Sequence, residues 1–341
     1  MTYQATVLAD NPVGLWPLNE PSGTTATDLG SGGNNGTFIG SPALGKTGLV
    51  FEAGGKCVDF DGSDDSVALG ASFGWTNAST VTAEAWVRPD VASGFHTIVS
   101  LEGELGYVRL MTSGGNFQAY MDNSGTVDIT SAFSIGETYH VVVIYNPTGP
   151  DTGLVLYVNG VLIGAVGGTN ATGAGADTQV RIGCRTVGGA SDYEFDGKIQ
   201  YVALYNTALT PLQIRKHYQA GLATGLHKEI LALGPELYLP LNESSGDALD
   251  WSGNDNSGTP AGDITQAATG LLGYDDSTGY QFDGVNGEIP ISHPASTTTY
   301  SLFAALSIDS ASGEYKILED GGVGHWSVKD GKQNLNYSAS D

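Results

Sequence analysis

Apolar and polar positions along the chain alternate or gather into short apolar runs. Val141-Val142-Val143-Ile144-Tyr145 and Leu154-Val155-Leu156-Tyr157-Val158 are β-branched and aromatic runs bounded by Gly, Pro and Asn. Such runs predict strands buried in a sandwich core. Asn159-Gly160 separates Leu154 to Val158 from Val161 to Val166, which predicts a two-residue hairpin with a type I′ turn. One helix is expected over 211–220, with Thr210 as its cap, Pro211 in its first turn and Gly221 at its end. The residues after it, Leu222 to Gly225, suit a linker.

The pattern then starts again. Gly14-Leu15-Trp16-Pro17-Leu18-Asn19-Glu20 returns as Leu237-Tyr238-Leu239-Pro240-Leu241-Asn242-Glu243, and Asp28 to Thr37 returns as Asp250 to Thr259. Val58-Asp59-Phe60-Asp61-Gly62 returns as Tyr280-Gln281-Phe282-Asp283-Gly284. Leu18 and Leu241 lie 223 positions apart, Phe60 and Phe282 222 apart, so the offset is nearly constant and marks a duplication. A complete domain is expected over 1–225 and a truncated copy over 226–341, with counterparts only as far as Tyr120. A half sandwich leaves apolar faces and unpaired edges. The segment from Glu229 to Asp341 is therefore expected to pack on another subunit or protein, a homotrimer being one such assembly, or to fold back on the first domain.

Composition sharpens this picture. Of 341 residues 50 are Gly and only 15% are charged, which favours strand and turn over long helices. A net charge of −24 with only 13 Lys and Arg argues against nucleic acid as a partner, because phosphate binding needs clustered cations. No apolar run is long enough for a transmembrane helix, and the opening MTYQATVLAD lacks the pattern of a signal peptide. Synthesis in a cytoplasm, without membrane insertion, is the expectation. Cys57 and Cys184 are too few for a disulfide framework and read as small buried thiols.

Taken in order, Val7-Leu8-Ala9-Asp10, Leu15 to Glu20, Phe60-Asp61-Gly62, Ala85-Trp86-Val87, Tyr157-Val158-Asn159-Gly160, Arg181-Ile182-Gly183, Phe195 to Ile199 and Leu204 to Thr210 resemble the laminin-G-like, concanavalin-type jelly-roll family. The likeness spans residues 3–221. It implies an all-β, antiparallel jelly-roll sandwich followed by a partial second β copy. Trp16, Trp86, Phe60 and Phe195 are expected in its core. The opening is similar to domains of bacteriophage structural proteins. The resemblance therefore implies a virion protein, made in the host cytoplasm and carried on the particle surface, in a minor tail or other appendage. Its partners would be other virion proteins, copies of itself and host-surface carbohydrate. A head decoration or fibre protein with a purely structural role is the alternative, as is a carbohydrate-binding module outside any virion. Fold alone does not choose among them.

Catalysis is not expected. Glycosidases need two carboxylates about 5–9.5 Å apart, and the pair Glu102 and Glu104 sits in a turn-like stretch. Gly70-Ala71-Ser72-Phe73-Gly74 matches a nucleophile elbow in letters, but turn residues and then a strand follow it where a helix is required. The six histidines show no metal-ligand spacing and read as surface or strand-end residues. The polar loop Asp28 to Gly36, with its repeat, offers hard oxygen donors, of which Ca2+ takes about six to eight. Laminin-G-like domains often hold Ca2+, so the resemblance makes Asp28, Asn34, Asp250 and Asn254 candidate ligands. The alternative is a set of Asx turns that end strands. Asp59, Asp61, Asp64 and Asp65 form a second acidic cluster, either a cation site or solvated edge charges.

Overall fold

The computed structural model describes residues 2–50, 55–70, 73–76, 78–101, 108–122, 126–147, 153–167, 180–187, 190–222, 230, 233–241, 243, 245–252, 254, 256–269, 278–283, 285–291, 314–320, 324–329 and 332–337. Glu102, Glu104, Ser72, His227, His293 and the linker beyond Leu222 lie outside them. The chain forms two compact units, Met1–Gly234 and Pro235–Asp341.

The first unit opens with helix α1 (Tyr3–Ala9), which the hydrophobic pattern did not announce. The Thr2 hydroxyl caps it by accepting from Ala5 N at 3.2 Å. Eighteen strands follow: β1 (Gly14–Trp16), β2 (Thr25–Ala26), β3 (Gly36–Ile39), β4 (Ala43–Thr47), β5 (Lys56–Asp61), β6 (Ser66–Leu69), β7 (Val81–Pro89), β8 (Phe95–Ser100), β9 (Val108–Ser113), β10 (Asn116–Asp122), β11 (Thr126–Ala132), β12 (Tyr139–Asn146), β13 (Gly153–Val158), β14 (Val161–Val166), β15 (Arg181–Ile182), β16 (Arg185–Val187), β17 (Ala190–Asp192) and β18 (Asp196–Tyr205). Helix α2 (Pro211–Leu222) closes the unit.

Two antiparallel sheets make the sandwich. The first runs β14-β13-β12-β7-β18-β5-β4 with β1 also on β18, and the second runs β11-β10-β9-β8-β15-β6-β3-β2. This is the concanavalin-like jelly roll. Trp16, Phe60, Phe117 and Phe195 fill the space between the sheets. The hairpin of β13 and β14 turns through Asn159 and Gly160 at φ 52° and 76°, the two left-handed residues a type I′ turn requires.

A second apolar layer covers the opposite face of the first sheet. Tyr3 and Val7 of α1 and Ile214 of α2 pack there with Trp86, Val142, Ile144, Tyr157 and Tyr205. Strands β7, β12 and β13 are thus buried on both faces, and this is why their sequences are apolar runs without alternation. Trp86 belongs to this outer layer, not to the inter-sheet core.

Helix α2 starts as a capping box: Gln213 N donates to Thr210 Oγ1 at 3.3 Å, and Thr210 N donates back to Gln213 Oε1 at 2.9 Å. Gly221 does not end it, as the sequence suggested, but lies buried within its last turn. A Cβ there would meet the Trp86 indole at 2.1 Å, so the glycine is required by close packing. Gly221→Ala is expected to cost about 1–3 kcal/mol through this overlap, despite alanine's better helix propensity. Urea unfolding of the variant checks it; an unchanged or raised midpoint would show that the indole can move aside.

The described part of the second unit is also β. Strands β19 (Ile264–Thr269) and β20 (Thr278–Phe282) pair, and β21 (Glu314–Asp320), β22 (Gly324–Lys329) and β23 (Lys332–Tyr337) form an antiparallel meander. The duplication reaches the backbone. Leu18 and Leu241 hold φ 53° and 56°, a left-handed conformation uncommon for leucine, at equivalent places.

Candidate functional site

The outer face of the second sheet gathers an unusual set of side chains. Cross-strand partners in an antiparallel sheet project to the same side, so the registers define rows. Asp128, Tyr120, Arg109, Ser100, Arg181, Ala68 and Thr37 form one row from β11 to β3. Thr130, Gln118, Met111 and Thr97 form the next, and Ser113 with Phe95 follows. Their neighbours along each strand, such as Phe117, Ala119, Leu110 and Val99, enter the inter-sheet core.

This face is polar yet partly covered. Arg109, Ser100, Gln118 and Thr97 are buried, whereas Tyr120 and Arg181 are half-buried and Phe95 is 51% exposed. The hairpin of β16 and β17 leaves β15 through Gly183 and returns beside β8, where Thr97 N donates to Tyr193 O at 2.7 Å. It brings aromatic and cationic groups together. The Arg109 guanidinium lies 4.2 Å from the Tyr120 ring centre and 5.7 Å from that of Tyr193. Arg185 covers Tyr193 at 3.9 Å and pairs with Asp192. Phe95 stacks on Tyr193 with centroids 5.1 Å apart.

Several polar atoms here are buried without a hydrogen bond: Gln118 Oε1, Thr97 Oγ1, Thr186 Oγ1 and Arg181 Nε. Gln118 is oriented by its amide, which donates to Asp128 Oδ2 at 2.7 Å. Buried donors and acceptors left open cost free energy, so a group able to pair with them would be held favourably here. Sequence alone carries no signal for this site, because its members come from seven strands and a hairpin.

The loops expected to hold Ca2+ are organised otherwise. Asp28 is buried, and its Oδ1 accepts from Leu15 N at 2.8 Å and Gly30 N at 2.7 Å while Oδ2 accepts from Asn34 N at 2.6 Å. Asp250 repeats this with Tyr238 N, Ser252 N and Asn256 N at 3.0, 2.8 and 3.0 Å, and adds Ser252 Oγ at 2.8 Å. A carboxylate offers about four lone-pair sites; amides and a hydroxyl use most of those of Asp28 and all of those of Asp250. The donor set therefore fits an Asx-type turn that staples the opening strand to the loop. Asn34 contributes its backbone, with its carbonyl accepting from Trp16 Nε1 at 3.0 Å. Its counterpart is Asn256; Asn254 instead donates its side-chain amide to Glu236 O at 3.0 Å.

Asp61, Asp64 and Asp65 approach one another, with carboxylate oxygens within 4.8 Å. Of the two readings of this cluster, solvated charge does not describe Asp65: it is buried, its oxygens accept from Ser41 N and Asp61 N at 2.9 and 3.1 Å, and burial raises its pKa. The cluster shapes a turn.

The histidines require the largest correction. His140 on β12 and His217 on the buried side of α2 are both fully buried, with Glu84 of β7 between them. Glu84 Oε2 lies 3.0 Å from both His140 Nε2 and His217 Nδ1, and Tyr205 OH donates to Oε1 at 2.6 Å. His217 Nε2 reaches Asp10 Oδ2 at 2.9 Å, and Gln213 Nε2 donates to Asp10 Oδ1 at 2.8 Å. Burial pushes the His217 pKa down, but the charge of Glu84 and the hydrogen bonds of Asp10 and Glu84 outweigh it and hold the group at about 9. For Glu84, burial pushes upward and the two histidines more than reverse it. Burial prevails at His140, whose pKa falls, so that ring is neutral. The Asp–His–Glu sequence looks like a proton relay, yet Glu84 and both imidazoles are sealed from solvent. It ties α1, α2 and three strands together.

Residues 61–215 match the family model described as the concanavalin A-like lectin/glucanases superfamily, of laminin-G type. No curated protein matches the chain. Among solved structures it is similar to domain 4 of AbnA, an extracellular arabinanase from Geobacillus stearothermophilus in complex with arabinotriose, at 20% identity and TM-score 0.47 over 61% of this chain and 98% of that one. It is also similar to a Trypanosoma rangeli sialidase mutant displaying trans-sialidase activity (16%, TM-score 0.46, 64% and 35%) and to the binding domain of botulinum neurotoxin serotype G (11%, TM-score 0.44, 61% and 50%). The matched part thus spans about half of the toxin domain and a third of the sialidase.

Proposed function

We propose that the first unit is a glycan-binding, lectin-like jelly roll that acts by binding and not by turnover, and that it serves on the surface of a bacteriophage virion. The carrying observation is the outer face of the second sheet, where Gln118, Thr97 and Thr186 present unpaired buried polar atoms beside exposed Phe95. Saccharides match this chemistry: hydroxyls can complete the open hydrogen bonds, and the apolar face of a pyranose can lie on an aromatic ring. The match of residues 61–215 to the lectin/glucanases superfamily supports a carbohydrate as the ligand class. The virion setting rests on the likeness of residues 9–23 to openings of phage structural proteins.

Binding of the full chain to a glycan microarray tests the first part. Phe95→Ala, at an exposed position, is expected to weaken binding about tenfold with an unchanged melting curve. Retained affinity in that variant, or no glycan bound at all, would refute the site. Mass spectrometry of purified particles tests the second part, and absence of the protein from them would overturn it.

A further inference from the structure

Arg181 is an anomaly in a chain with 37 acidic and 13 basic residues. With nearly three acids per base, a cation that is partly removed from water should find a carboxylate. Others do: Arg88 pairs with Asp90, Arg185 with Asp192, and Lys198 with Asp59. Arg109 is satisfied partly by the Tyr120 and Tyr193 rings. Lys46, Lys56 and Lys216 are exposed and hydrated. Arg181 is half-buried, its Nε is sealed from solvent without a hydrogen bond, and among the described residues it forms no ion pair. Desolvating a guanidinium without a counter-charge is unfavourable.

Its neighbours on the sheet bound what could approach it. On the same face Arg181 is flanked by Ser100 on β8 and Ala68 on β6, with Thr37 beyond. Thr97 and Ile39 lie one step along β8 and β3 in the same alternation. No acidic residue occupies the outward positions of β3, β6, β8 or β15. Arg109 stands on the far side of Ser100, two strand spacings or about 9–10 Å from Arg181. Arg181 therefore stands half-buried above a floor of small side chains, without a counter-charge among the described residues. A planar fork of donors is suited to a carboxylate or sulfate.

We infer that the sugar seated on this face is acidic, its anionic group held by Arg181 above Ser100 and Ala68. This rests on the glycan-binding reading and adds the ligand class to it. The experiment is a microarray of uronate-, nonulosonate- and sulfate-bearing glycans, each printed beside the same glycan with its carboxyl reduced or its sulfate removed. The full chain should prefer the acidic member of a pair at least tenfold, and the preference should shrink as NaCl rises from about 50 to 500 mM. Arg181→Gln should erase the preference while leaving the melting temperature within a few degrees. Arg181→Lys should keep part of it, because charge remains but the fork is lost. The carboxylate and sulfate arms tell which anion is taken. Equal binding to acidic and neutral members overturns the inference and leaves the glycan reading intact. No binding to any member overturns both. A preference that survives in Arg181→Gln places the anion elsewhere and also overturns it.

Discussion

Glu84→Gln is expected to destabilise the first unit by about 3–5 kcal/mol, the cost of leaving a buried charge without its partner. Glu84 receives Tyr205 OH, His140 Nε2 and His217 Nδ1 in a site with no exposure, so no water can replace it. A glutamine keeps one acceptor but removes the charge that keeps His217 protonated. For a unit of this length the loss corresponds to roughly 6–20 °C in melting temperature. Differential scanning calorimetry of the variant beside Tyr205→Phe, which loses one donor only, would measure it. A loss under 1 kcal/mol would mean that His217 is neutral in the folded protein.

The same network sets a pH dependence. His217 is raised from an ordinary 6.5 to about 9. Its stabilisation is complete below about 6.5 and is lost as pH rises through about 9, amounting to about 3 kcal/mol. Glu84 and Asp10 are lowered, so their contribution is present above the ordinary carboxylate range and is lost only in acid. His140, lowered by burial, works against stability below about 6.5, where the unfolded chain takes up a proton that the folded one refuses. Tyr205, raised by burial and by Glu84, adds no further change before strongly alkaline pH. Urea midpoints should therefore be highest near neutrality and fall between pH 7 and 9.5. His217→Gln should flatten the alkaline limb.

Asp28→Ala should cost about 3 kcal/mol, since it strips acceptors from the amides of Leu15, Gly30 and Asn34. Only Leu15 is buried strongly enough to suffer the full penalty. Asp28→Asn, which retains Oδ1, should cost less than half as much. Hydrogen exchange at Leu15 and Gly30 locates the loss. The equivalent change Asp250→Ala should destabilise the second unit by a similar amount. These variants also separate an amide-held loop from an ion-held one: EDTA and Ca2+ leave the melting curve unmoved in the first case. A Ca2+-dependent rise that Asp28→Ala abolishes would place an ion there.

How far residue order alone reaches is clearest at Asn159-Gly160 and at Thr210. Each is a local structure whose hydrogen bonds close within a few residues, and each formed as expected. The duplication was equally legible, and its backbone counterpart runs as deep as Leu18 and Leu241. The apolar runs of β12 and β13 announced full burial, though not by what. His140 and His217 were misread because nothing near them in sequence shows that α2 returns across the first sheet. Gly221 was misread for the same reason, its constraint being an indole 135 positions away.

The jelly-roll architecture was therefore determined by local alternation, turn chemistry and internal repetition, all of them short-range properties that a chain carries wherever it goes. The polar outer face of the second sheet was decided by tertiary structure. Strand pairing across β3, β6, β15, β8, β9, β10 and β11 sets Thr37, Arg181, Arg109 and Tyr120 in one row although 144 positions separate the first from the second. Alternation says that every second residue of a strand faces outward; only the register says which outward residues meet.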